Sequence, residues 1–212
     1  MKKNYIQTPR GYLSQSQVAL WQRSPEQYKK IYFDQRDELR PTSMAMDYGK
    51  LIADALEKGV ETGDLMSDAA MLLLPKYDIR DKEFRAELNT PNGWVEILAK
   101  PDYMDSETKN FIEIKTGKTP WTQAKADKHL QLLWYATAIY IKYGPVIPKV
   151  KLAWVETEHT DAGVTPTGRV EEFDVVFTLK DILDTMALMG KVAQEISIAW
   201  SAHVTDPRIA TF

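Results

Sequence analysis

Cysteine is missing from this chain, which excludes disulfides, a thiolate zinc site and a cysteine-ligated iron-sulfur cluster, and leaves the redox compartment open. Histidine is scarce too, at three residues, and His159 and His203 have no partner at metal-ligand spacing. Apolar runs are too short and too often interrupted by charge to span a bilayer, and the opening MKKNYIQTPR leads to no apolar segment. A soluble cytoplasmic protein with no membrane partner and no secretory signal is the expectation. An excess of positive charge is also lacking. The net charge is -3 and the pI about 5.7, so bulk charge offers no argument for nucleic-acid binding, and a DNA groove would have to be local. No internal repeat, low-complexity tract or long linker is visible, although residues 41–43 and 160–168 read as loops.

What is present suffices for a full core: 212 residues, 44% of them hydrophobic, expected to form a single domain over residues 1–212. Its N-terminal helical part covers about 12–75 and its core about 82–200. SQSQVALWQRSPEQYKKIYF places Val18, Trp21, Tyr28, Ile31 and Tyr32 near helical spacing, broken at Ser24-Pro25, which predicts two short helices. Further helices are expected at 45–58, with Tyr48, Leu51, Ile52, Ala55 and Leu56 on one face, and at 67–74, ending before Pro75. The period then changes. Residues 84–88 and 94–100, joined by Thr90-Pro91-Asn92-Gly93, predict a β-hairpin, with 111–115 as the third strand of a meander. A long helix at 123–143, strands at 150–157 and 169–178, and a helix at 180–200 complete an α/β fold, a mixed sheet of about five strands flanked by helices.

Asp102 follows a predicted strand and a proline, while Glu113 and Lys115 lie two apart on the next strand and so share a face. Carboxylates on adjacent strand ends can hold a divalent cation through oxygen, and Mg²⁺ takes one or two carboxylates with water and phosphate oxygens. Lys115 can orient or help deprotonate an attacking water and offset phosphate charge, while Ile114 turns to the packed side. The same Glu-Ile-Lys is also common as a half-solvated face carrying an ion pair, and Pro-Asp is an ordinary turn dipeptide.

Motifs spread along the chain narrow the choice. AKPDYMD holds Asp102, IEIKTGK spans 112–118, HLQLLWYATAIY holds Gln131 and Tyr135, and LSQSQVALWQRSPEQYKKIYF and YGKLIADALE precede them. In this order they resemble the RecB-type branch of the PD-(D/E)XK nucleases, which includes phage exonucleases and CRISPR-adaptation exonucleases. The resemblance implies a restriction-endonuclease-like fold and a deoxyribonuclease, an exonuclease more than a sequence-specific cutter, acting in DNA recombination, repair or phage DNA processing. It implies catalytic Asp102, Glu113 and Lys115, Mg²⁺ or Mn²⁺ on Asp102 and Glu113, and Gln131 and Tyr135 facing DNA. It also implies a bacterial or phage-infected host cell, and DNA and a recombination protein as partners.

The chain departs from the family twice. The first motif normally carries a histidine ligand four residues after its glycine, and from Gly49 that position is Ala53, with Asp54 and Glu57 as neighbours. Ser24 stands before Pro25 where iron-sulfur members often have cysteine, so no cluster is expected. Ala53 motivates an alternative: a catalytically impaired nuclease-fold protein that binds DNA or a recombination partner. A third reading is a structural protein whose Glu113 and Lys115 merely pair. Beyond the motifs, Lys118 and Trp121, in the loop after the E-x-K strand, are candidate DNA contacts, and Lys125 and Lys128 add local positive charge. His129 is read as a surface or packing residue, and Trp21, Trp94, Trp134, Trp154 and Trp200 as core.

Overall fold

A computed structural model of the chain describes residues 3–40, 48–49, 51, 77–80, 82–160 and 163–205. The helices expected at 45–58 and 67–74, the loop at 41–43, and Ala53, Asp54 and Glu57 lie outside these residues, except that Tyr48, Gly49 and Leu51 are helical. In chain order the strands are β1 Ile79–Arg80, β2 Phe84–Thr90, β3 Gly93–Ala99, β4 Tyr103–Met104, β5 Phe111–Gly117, β6 Val150–Thr160 and β7 Gly163–Val175. The helices are α1 Gln15–Arg23, α2 Pro25–Tyr28, α3 Gln123–Asp127, α4 Leu130–Tyr143 and α5 Leu179–Val204.

The break expected at Ser24-Pro25 is a double cap. Ser14 Oγ accepts from Gln17 N to start α1, and Ser24 Oγ accepts from Gln27 N to start α2, with Pro25 at the first helical position, where its missing N–H costs nothing. Beyond α2 the chain widens into a π-helical turn, Lys29–Phe33, burying Ile31 and Phe33. Trp21 Nε1 donates to Glu195 at 3.0 Å, joining α1 to α5.

The hairpin forms as the alternation predicts: Phe84, Ala86 and Leu88 on β2 and Val95, Ile97 and Ala99 on β3 are buried. Gly93, after Pro91-Asn92, has φ +131°, and a Cβ there would lie 2.8 Å from the Asn4 carbonyl oxygen, so both backbone and neighbour demand glycine. Residues 4–13 run along β3: Trp94 N donates to Asn4 O, Ile6 N to Trp94 O, Leu13 N to Glu96 O and Leu98 N to Leu13 O, at 2.7 to 2.8 Å. The expected three-stranded meander is therefore corrected. The hairpin is a separate two-stranded sheet, because the chain turns at Lys100-Pro101-Asp102, where proline offers no N–H to a ladder, and β5 pairs elsewhere.

The second sheet has five strands in the order β1-β4-β5-β6-β7, with β5 and β6 parallel and every other pair antiparallel. The parallel pair is joined through α3 and α4, as parallel neighbours require a crossover. Three boundaries differ from expectation. The helix predicted over 123–143 is two helices: α3, which Thr122 caps, ends at Asp127, and α4 starts at Leu130, with Lys128-His129 between them. Residues 160–168, predicted to be a loop, are largely strand, because the β6–β7 ladder continues past the core, pairing Thr157 with Pro166 and Glu158 with Thr165 after a shift in register. Strand β7 consequently ends at Val175, and α5 starts at Leu179 behind a capping box between Thr178 and Asp181.

A large apolar core fills the space among the hairpin, the helices and one sheet face; a smaller one on the opposite face holds Tyr103, Ile112, Ile114, Ala153 and Val155 against Tyr48. The result is a mixed α/β fold. Among the described residues no helix is long and apolar enough to cross a membrane.

Candidate active site

Strand β5 places its side chains alternately, so Ile112 and Ile114 enter the small core, whereas Phe111 faces α4 in the large one. Glu113 and Lys115 follow Phe111 onto that face. The parallel ladder sets Leu152 beside Glu113 and Trp154 beside Lys115, and leaves Glu113 only 3% exposed. A carboxylate that deep is unfavourable unless a cation or hydrogen bonds offset its lost hydration. Lys115 Nζ lies 2.7 Å from Glu113 Oε1 and also donates to Gln131 Oε1 at 2.7 Å. Gln131 Nε2 donates in turn to the Tyr135 hydroxyl at 2.7 Å, the two side chains standing one helical turn apart on α4. Tyr135 is 8% exposed, its ring edge-on to Phe111 at 6.0 Å.

Asp102 reaches this group from the other side. It precedes β4, one step beyond the antiparallel pair Tyr103–Ile112, which sets it across from Glu113. Its Oδ2 accepts from Ile114 N at 2.6 Å, and its charge also acts on Lys115. Burial pulls the Lys115 pKa down, but the Glu113 charge and hydrogen bond, with Asp102, outweigh it and lift the ammonium above its ordinary range. Lys115 is thus held as a charged donor, suited to orienting water or phosphate.

The donor set is all oxygen: one carboxylate on β5 and one on the residue that precedes β4. Among the described residues no group of three His, Cys, Asp or Glu side chains could hold a metal. Zinc, which wants nitrogen or sulfur and usually three or four protein ligands, does not fit, whereas Mg²⁺ or Mn²⁺, completed by water and phosphate oxygens, does.

The remaining expected contacts divide. Lys118, Lys125 and Lys128 are exposed. Trp121 is partly buried: its ring lies 5.1 Å from that of His129, with Lys125 Nζ 4.0 Å above it. Gln131 and Tyr135 are tied inward to Lys115, yet both line a cavity of about 460 Å³ that also takes in Arg10, Tyr32, Arg40 and Lys100. Sequence reading missed those four, since residues so far apart in the chain carry no local signal of a common wall.

His129, at the start of α4, has a buried Nδ1 with no hydrogen-bond partner among the described residues. Burial, helped by the charges of Lys115 and Lys125, pushes its pKa down to about 4. As pH falls below the usual histidine value of about 6.5, the unfolded chain takes up this proton before the folded one does, so stability is lost progressively between about pH 6.5 and 4. In His129→Asn, which puts a residue suited to capping at the start of α4, urea midpoints should fall less over that window than in the parent. Equal slopes in the two proteins would contradict this.

No family model matches the chain, and no curated protein matches it. Among solved structures, one described as the crystal structure of SSO0001 is similar over 98% of this chain and 81% of that one, at 14% identity and a TM-score of 0.38. A likeness this low carries no argument about fold or activity.

Proposed function

We propose that this chain is a metal-dependent DNA nuclease with a PD-(D/E)XK, restriction-endonuclease-like fold, acting as an exonuclease. One observation carries the reading: Asp102 stands across from a buried Glu113, and Lys115 joins that carboxylate to Gln131 of the following helix. Asp102 and Glu113 would hold Mg²⁺ or Mn²⁺, which supplies charge for the scissile phosphate and makes bound water more acidic. The protein's own part is positioning. Lys115 stays charged and presents N–H to a phosphate oxygen or the attacking water, Gln131 fixes the Lys115 ammonium, and Tyr135 fixes Gln131. The exposed Lys118, Lys125 and Lys128 supply phosphate contacts that bulk charge does not.

Preference for strand ends follows from the resemblance to end-processing nucleases, as does a role in recombination, repair or phage DNA processing. A second reading, DNA or partner binding without cutting, draws on Ala53, which stands where the family's first motif normally carries a histidine ligand. Incubation with end-labelled linear and covalently closed DNA in Mg²⁺, Mn²⁺ or chelator separates the two. The nuclease should degrade linear DNA in either metal, spare closed circles and stop in chelator. Cutting undiminished by excess chelator would overturn the metal mechanism, and tight binding with no cutting in any metal would favour the second reading.

A further inference from the structure

We draw no further inference here: the strongest candidate, the apolar groove between α1, α4 and α5 lined by Val18, Ala19, Leu130, Leu133, Trp134 and Leu188, carries nothing because nothing in the structure shows what covers it.

Discussion

Lys115→Ala should lower DNA hydrolysis by about 10²- to 10³-fold, the loss of one preorganised donor, while leaving calorimetric Mn²⁺ affinity close to that of the parent. The two carboxylates remain in place, and only the ammonium bridging Glu113 to Gln131 is lost. Asp102→Ala should behave differently: it removes an anionic ligand, so metal affinity and cleavage fall together. A stability signature should accompany the lysine variant. Glu113 is buried and would lose the cation 2.7 Å away, a change that typically costs about 3–5 kcal/mol for a buried pair and less here because Lys115 is partly exposed. In chelator, Lys115→Ala should therefore melt below the parent, and added Mg²⁺ should recover part of the difference by placing charge beside the same carboxylate. A folded Lys115→Ala protein that cuts at the parent rate would sink the assignment.

The second large effect lies under the site. Trp154 is fully buried, pairs in register with Lys115, and donates from Nε1 to the Gly117 carbonyl at 3.1 Å, pinning the end of β5. Trp154→Ala should cost about 3–5 kcal/mol, through lost apolar burial and the cavity left behind. Trp154→Phe keeps most of the volume and loses mainly the hydrogen bond, for about 1–2 kcal/mol. Urea unfolding followed by circular dichroism would measure both. A loss below about 1 kcal/mol in the alanine variant would mean that this part of the sheet is held from elsewhere.

The elements legible in the sequence were those with a local cause. Alternation on β2 and β3, the Asn92-Gly93 turn, the break at Ser24-Pro25, and the separation of Glu113 and Lys115 from Ile114 all follow from periods and turn chemistry within a few residues. What escaped depended on distant partners. Nothing in residues 4–13 announces pairing with β3, because half of that ladder is supplied by Trp94, Glu96 and Leu98. The separation of the hairpin from β5 hinges on a turn at Pro101 whose direction is set by packing, not by composition. Likewise the polar stretch from Thr160 to Gly168 has loop composition, and its described residues are strand because residues 163–166 find partners on β6 at residues 157–160. At the site, the E-x-K spacing placed two side chains correctly on one face. The inward tie of Gln131 and Tyr135 to Lys115 needed the crossover helix to be seen.

The pairing of residues 4–13 with β3, and of Trp21 with Glu195, bears on how the protein comes into being. Synthesis delivers the N-terminal segment first, but its hydrogen-bond partners follow only with residues 94–98, and α1 gains its α5 partner near the end of the described chain. Contacts so distant in sequence form slowly and late. Arg10 and Tyr32 thus emerge long before Gln131 and Tyr135, the residues with which they enclose the cavity. The cavity can therefore close only after Tyr135 has left the ribosome and α4 has packed, long after its first wall has been made.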